Sequence, residues 1–453
     1  MSNYRYQIEQ YHSIGKADIA INGITVLAGA NGAGKSTLAR WLHYIVNISY
    51  IYDTNRFEEY QQNLVNEIRQ YATAKKELAE SNDEVDMLSK AKKSILDIKY
   101  NGIETADEVL SICMAATKQF CEELKKALPT MSQNALTRIL NYLHIERKSY
   151  ESDDTLIERF LEERTKKGMS EKESFLLAIK KRPVEKFFEK TRKTYHETDR
   201  PNSISFQEDG VEIITDKKIG SLLGLDDAIY IDTPMALSVT DSTNHFWNEL
   251  LFMLKNQDEN IDISREAKKM LKRITLITGG EVIEKKDVFG QKELFYTRKS
   301  DNLTIKLENA ATGIKTFAYI EQLLRKGYLT NRTVLIIDEP EAHLHPQWIV
   351  EFARLLVLLN KEIGLKIMVA SHDPDMVSAI RYVSEAEGIL DNTNFYLAGP
   401  DEGTETYTYK HLGTDIESIF ESFNMALTKI EMYTAILLCG GHRKQFDDIC
   451  GIK

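Results

Sequence analysis

The feature that most constrains this chain is a short stretch near its start, Gly29-Ala30-Asn31-Gly32-Ala33-Gly34-Lys35-Ser36, which fits G-x-x-x-x-G-K-[ST]. An apolar, β-branched run, Thr25–Ala28, precedes it. Apolar residues at helical spacing, Leu38, Leu42, Ile45 and Val46, follow it. Strand, glycine loop and helix in that order make a phosphate-binding loop. The glycines let the backbone curl so that successive N–H groups face one anion. The helix start adds the positive end of its dipole. Lys35 reaches the β- and γ-phosphates of a nucleotide, the Ser36 hydroxyl suits Mg²⁺, and Thr37 completes the candidate binding set. A chance match to the pattern is rare, and the flanking strand and helix make it rarer.

A second apolar run, Val334-Leu335-Ile336-Ile337, ends in Asp338-Glu339. A buried strand that delivers a carboxylate beside the phosphates is how such loops hold a divalent cation, which makes Asp338 the candidate Mg²⁺ ligand. Glu339 then stands where it can orient an attacking water and accept its proton. Alone, Glu339-Pro340-Glu341 would read equally well as a surface turn. Beside the loop it reads as part of a site. The next run, Ile367–Ala370, ends in Ser371-His372-Asp373, and His372 is placed to reach the γ-phosphate. Continuous apolar runs of this kind are the buried central strands of a parallel sheet. The helix between them carries Ile349, Phe352, Leu355, Leu356 and Leu359 on one face, so the unit is α/β.

With 453 residues the chain exceeds what one core organises. From about Thr54 to Arg200 glycine is scarce, Lys and Glu abound, and apolar residues recur at three- and four-residue steps, as in Leu64, Ile68 and Tyr71. Pro129 marks a break and Asp153-Asp154 a helix start. No heptad pattern is sustained, so a compact helical bundle or a short helical hairpin is expected rather than a long coiled coil. Upstream, strands are expected over Ile19–Ile24 and Thr25–Ala28. Downstream they are expected over Ser203–Gln207, Val211–Thr215, Ala228–Asp232, Glu281–Lys286, Glu293–Arg298 and Leu303–Leu307, with a turn at Gly290. Helices are expected near Asn244–Leu254, Ser264–Ile277 and Thr414–Ile436. The division is a discontinuous α/β head over 1–54 and 203–435, a helical insertion over 55–202 and a tail over 436–453.

The net charge of −11 argues against a generally basic, nucleic-acid-coating surface but leaves a local groove open. Four scattered cysteines without C-x-x-C suit a reducing cytoplasm. No run approaches the length of a membrane span, and the polar start lacks a signal-peptide core.

Together these motifs resemble the ABC-type ATPases of the SMC/RecF/OLD-like group. The stretch Asp338-Glu339-Pro340-Glu341-Ala342-His343-Leu344-His345-Pro346 looks like the D-E-P-E-x-H-L-H-P of that group, and the resemblance leaves the insertion uncovered. It implies an ABC/SMC-like P-loop ATPase head that hydrolyses ATP with Mg²⁺ as a dimer, each nucleotide capped by a signature loop of the other subunit. Thr312 and Gly313 match that signature, while Ile314 and Lys315 depart from it. The resemblance puts His343 and His345 near a dimer interface rather than in a metal site. Gln61 and Gln62 are the nearest glutamines in order for the loop that links head and insertion, but they sit at the start of the insertion; Tyr11 stands at a plausible distance for the adenine and reads equally well as a core or surface residue. By resemblance to OLD-like, Septu-like and PARIS-like systems, the chain is expected to be the regulatory ATPase of an antiphage defence system that controls a separate effector nuclease. The alternative is an SMC/RecF-like ATPase that binds DNA in chromosome maintenance or repair. A transporter subunit fits less well, because the helical insertion comes early. A built-in nuclease is not expected, since Asp373-Pro374-Asp375 belongs to the switch region.

Overall fold

The computed structural model describes residues 2–76, 87–238, 243–255, 263–286, 292–342 and 344–421. The chain forms two compact units, Met1–Tyr50 with Val184–Lys453, and Ile51–Pro183.

The first unit opens with β1 (Tyr4–Tyr11), β2 (Ile14–Ala20), β3 (Ile24–Ala28) and α1 (Lys35–Tyr50). The sequence reading missed β1, because its buried residues Tyr4, Tyr6, Ile8 and Tyr11 are mostly tyrosines in a polar-looking segment. β2 begins at Ile14 rather than Ile19, since it pairs antiparallel with β1 along its whole length.

The second unit is helical: α2 (Tyr52–Lys75), α3 (Met87–Asp97), α4 (Glu104–Ala127), α5 (Gln133–Tyr142) and α6 (Asp153–Lys181). The hydroxyls of Ser132 and Ser152 accept hydrogen bonds from the N–H groups of Ala135 and Thr155, capping α5 and α6. Pro129 lies in the 3-10 turn Leu128–Thr130 that follows α4. The core of this unit draws Phe57, Leu64, Ile68 and Tyr71 from α2, Val109, Phe120 and Leu124 from α4, and Phe160 and Phe175 from α6. Tyr71 and Phe120 stack with ring centroids 5.0 Å apart. Burial in this core pushes the Cys113 thiol up to about 11 and that of Cys121 up to about 12, which makes both inert packing groups.

The first unit resumes with α7 (Val184–Tyr195), β4 (Ser203–Glu208), β5 (Val211–Ile214), β6 (Asp227–Ile231), α8 (His245–Lys255) and α9 (Arg265–Thr278). Then come β7 (Glu281–Lys286), β8 (Lys292–Arg298), β9 (Leu303–Lys306), α10 (Thr312–Arg325), β10 (Thr333–Asp338), α11 (Pro346–Ile363) and β11 (Lys366–Ser371). The last named elements are α12 (Pro374–Ala386), β12 (Thr393–Pro400) and β13 (Tyr407–Gly413). The expected boundary at 202/203 is therefore corrected to 183/184. The reason is α7, whose Phe187 and Phe188 pack on Trp41 of α1 at 6.3 and 6.1 Å between centroids. Most of the helix expected over Thr414–Ile436, the tail 436–453, Gly290 and His343 lie outside the described residues.

The large sheet has ten strands in the order β5-β4-β1-β2-β13-β12-β3-β11-β10-β6, and a small antiparallel sheet holds β7-β8-β9. β6, β10, β11, β3 and β12 run parallel. β10 and β11 are buried at every position, and so is β3, as continuous apolar strands between helices must be. Register does the rest. Asp338 pairs with Ala370, and Ser371 pairs with Ala28, so the carboxyl ends of β10, β11 and β3 finish at one sheet edge. Such an edge of an open parallel sheet is where ligands bind. This is the mixed α/β class that the sequence pointed to.

Candidate functional site

The glycine loop leaves β3 at this edge and enters α1 at Lys35. Gly32 and Gly34 have φ of +83° and +88°, a region that only glycine enters at low cost. At Gly34 space is closed too, since a Cβ there would lie 2.6 Å from Cγ1 of Ile14 at the start of β2. From β13, the Tyr409 hydroxyl donates to the carbonyl of Ala33 over 2.9 Å. Neither support was visible in the sequence, because both come from strands far from the loop. Lys35 is buried, and its Nζ donates to the carbonyls of Gly29 at 2.9 Å and Ala30 at 3.0 Å. Burial pushes its ammonium down, against the charges of Asp338, Glu339 and Glu341. The ammonium is thus held by two loop carbonyls and lies within the field of three acids.

Asp338 closes β10 and is buried. Its Oδ2 accepts a hydrogen bond from the Tyr230 hydroxyl of β6 at 3.0 Å, while its Oδ1 is buried and accepts none. Burial pushes this carboxyl up, and the neighbouring Ser36 and Tyr230 hydroxyls draw it back. Leaving a buried acceptor unmet costs about 1–3 kcal/mol. A hard divalent cation between Oδ1 and the Ser36 hydroxyl would relieve that cost, and oxygens are the donors Mg²⁺ takes. The residues present fit Mg²⁺ at this place.

The next residue, Glu339, is held at φ +49°, the left-handed region that costs a non-glycine residue about 1–3 kcal/mol. Its N–H donates to the carbonyl of Ala370 at 2.8 Å, and its own carbonyl accepts from Ala342 at 3.0 Å. The bend turns the side chain out to solvent at the sheet edge, where Glu339 Oε1 lies 3.3 Å from Nδ1 of His372. Strain of this kind marks places where geometry matters more than stability.

Behind the pair stands Glu341, whose role no local sequence pattern signals. It is buried, and its Oε1 accepts from the Ser371 hydroxyl at 2.8 Å and from the His372 N–H at 3.1 Å. The same oxygen lies 3.4 Å from His372 Nδ1. Burial pushes the Glu341 carboxyl up, and these hydrogen bonds oppose the shift. Asp373 caps α12 by accepting from the N–H of Met376, so Asp373-Pro374-Asp375 is a helix start.

The structure thus brings Gly29–Thr37, Asp338, Glu339 and His372 to one edge. Thr312 and Gly313 open α10, where a Cβ on Gly313 would lie 2.8 Å from the Trp348 ring of α11. His345 is the N-cap of α11, its Nδ1 accepting from the Gln347 N–H at 3.4 Å. Among the described residues no group of three or more His, Cys, Asp or Glu could hold a metal ion by protein ligands alone. Gln61 lies in the helical unit, as its place in the insertion implied, and its amide donates to the carbonyls of Ile95 and Ile98 at 2.6 and 2.8 Å. Tyr11 is buried edge-on against Trp41 with its hydroxyl on Glu197 at 3.0 Å, so its ring has no free face for a base. His12 covers that ring at 4.1 Å between centroids and is itself exposed.

The glycine loop, the Asp338–Glu339 pair and His372 stand at three adjacent strand ends, an arrangement that suits a P-loop ATPase. The chain belongs to the family described as AAA ATPase domain, which matches residues 5–377. Over 72 residues it is 39% identical to the energy-coupling factor transporter ATP-binding protein EcfA2 of Clostridium perfringens strain SM101, covering 16% of this chain and 25% of the relative. Over 44 residues it is 50% identical to EcfA3 of strain ATCC 13124, covering 10% and 15%. The matched stretches thus span a quarter or less of these curated relatives. Among solved structures, the Smc head domain with an extended coiled coil bound to the C-terminal domain of ScpA, from Pyrococcus furiosus, aligns at TM-score 0.34 and 11% identity. That alignment covers 95% of this chain and 100% of the other. The SMC head domain of Thermotoga maritima aligns at TM-score 0.35 and 9% identity, covering 91% and 99%. An ABC transporter ATP-binding cassette in its ADP conformation aligns at TM-score 0.35 and 9% identity, covering 93% and 98%. No described helix is long and apolar enough to cross a membrane.

Proposed function

We propose that this chain hydrolyses ATP as a head-to-head dimer and uses the reaction to switch its helical unit, as the regulatory ATPase of an antiphage system that controls a separate effector nuclease. The observation that carries the hydrolytic part is the buried, unmet Oδ1 of Asp338 beside Ser36, next to the Glu339–His372 pair.

In this reading the loop from Gly29 to Thr37 cradles the phosphates through its N–H groups. Lys35 leaves the Gly29 and Ala30 carbonyls and neutralises charge that develops on the β- and γ-oxygens. Ser36 and Asp338 would hold Mg²⁺, which when bound would supply further charge neutralisation for the phosphates. Glu339 aligns the water and takes its proton, and His372 holds the terminal phosphate in line. Thr312 and Gly313 of the partner subunit close the site at the start of their helix.

The regulatory role rests on the helical unit. It is a short bundle with a core of its own, which suits a switch that moves against a partner protein. A DNA clamp of the SMC/RecF kind calls for a long heptad arm or a basic groove.

The test is ATP turnover of the purified chain and of Glu339→Gln, with assembly size measured with and without Mg-ATP and duplex DNA. The variant should lose about 10²-fold or more in turnover and accumulate as an ATP-bound dimer or larger assembly. Turnover that DNA raises several-fold would favour the clamp. No ATP binding by either protein would remove the hydrolytic reading altogether.

A further inference from the structure

We propose that Glu341 is a positioning residue for hydrolysis, acting through His372. The strand ends that carry Glu339 and His372 are parallel neighbours, and their backbones already meet where the Glu339 N–H donates to Ala370. That contact leaves the imidazole free to swing about its own χ angles. Glu341 removes this freedom. One buried oxygen takes the Ser371 hydroxyl, the His372 N–H and the approach of His372 Nδ1, so residues 371 and 372 are tied to the loop after β10 at several points.

The loop itself is held in the shape this requires. Leu344 donates its N–H to the Glu341 carbonyl at 3.0 Å, and Ala342 donates to that of Glu339. The clamp therefore couples the bend that aims Glu339 outward to the orientation of the ring it faces. A buried carboxylate whose second oxygen, Oε2, finds no partner is a poor choice for stability alone. Its place here suits a group that fixes geometry. The contacts of the Glu341 carboxylate are to Ser371 and His372, and its effect passes through His372.

The inference rests on the proposed role of His372, and a double-mutant cycle separates the two. In the full-length chain, Glu341→Ala should lower kcat for ATP about tenfold while KM for ATP changes less than about twofold. Glu341→Gln keeps an oxygen for the Ser371 and His372 donors and should recover most of the rate. In a His372→Ala background, Glu341→Ala should cost less than about twofold more. If the alanine variant does not fold, Glu341→Asp, which withdraws the carboxylate by one methylene, takes its place in the cycle. An equal loss of kcat in both backgrounds would overturn the inference, as would a rise in KM with kcat intact. If His372→Ala itself turns over ATP normally, the assigned role of His372 fails instead.

Discussion

The Tyr230 hydroxyl donates to one oxygen of Asp338 at 3.0 Å and leaves the other buried without a hydrogen bond. The two residues sit near the ends of β6 and β10, which are parallel neighbours. Burial and the charge of Asp338 push the Tyr230 phenol well up, so it remains a donor throughout the physiological range. One carboxylate oxygen is thereby fixed by protein, and the other is left for the cation proposed to bind with Ser36.

Replacing Asp338 by Asn should therefore separate stability from function. Without nucleotide the variant should be as stable as the parent or up to about 1 kcal/mol more so, since the buried charge is gone. With Mg-ATP the parent should gain in Tm and the variant should gain little. Thermal melts with ATP, with and without Mg²⁺, read both effects. An equal Mg-ATP stabilisation of the two proteins would contradict the assignment.

Gly34→Ala places a Cβ 2.6 Å from Ile14 at a residue whose φ is +88°. The loop must then deform, because neither the strand nor the helix start can give way cheaply. ATP affinity is expected to drop at least about tenfold while the far-ultraviolet circular dichroism stays unchanged. Fluorescent-nucleotide titration measures it, and wild-type affinity would show that the loop shape is not what holds the phosphates.

Asp227, at the start of β6, has its carboxyl pushed up to about 6 by burial and by the neighbouring charge of Glu249. The folded chain then binds a proton more tightly than the unfolded chain, whose carboxyl titrates at 3.8. Its contribution to stability is full at low pH and declines as pH rises through 3.8 to about 6. Asp227→Asn should remove that loss and raise stability at pH 7.5 by on the order of 1–2 kcal/mol, with no gain near pH 4. Urea denaturation at both pH values checks the sign. A gain of the same size at pH 4 would mean that the charge is not the cause.

In the helical unit Phe120 is fully buried, stacked on Tyr71 and edge-on to Phe160. Phe120→Ala should cost about 3–5 kcal/mol of that unit's stability, the usual range for an aromatic removed from a closed core. Urea denaturation followed by circular dichroism reports it, and a loss under about 1 kcal/mol would mean the core refills.

Much of the site was legible because its parts are local. Gly29–Ser36 is a strand, a loop and a helix start in one stretch, and β10 and β11 announce themselves as unbroken apolar runs before an acid pair and a histidine. The capped start of α6 was legible for the same reason. β1 was not, since its inward side chains are mostly tyrosines whose burial depends on strands β2 and β4. α7 looked like more of the insertion because its composition matches it, and only the packing of Phe187 and Phe188 on Trp41 assigns it to the first unit.

The residue pattern alone settled the class of chemistry, because a backbone anion cradle and a strand-end carboxylate are built within a few consecutive residues. Folding decided which side chains support them. Tyr230 on Asp338, Tyr409 on the glycine loop and Glu341 on Ser371 and His372 join residues about thirty to nearly four hundred positions apart. It also removed Tyr11 from the nucleotide by burying its ring. Such contacts depend on strand order and register, and no local propensity encodes which distant strand will lie alongside.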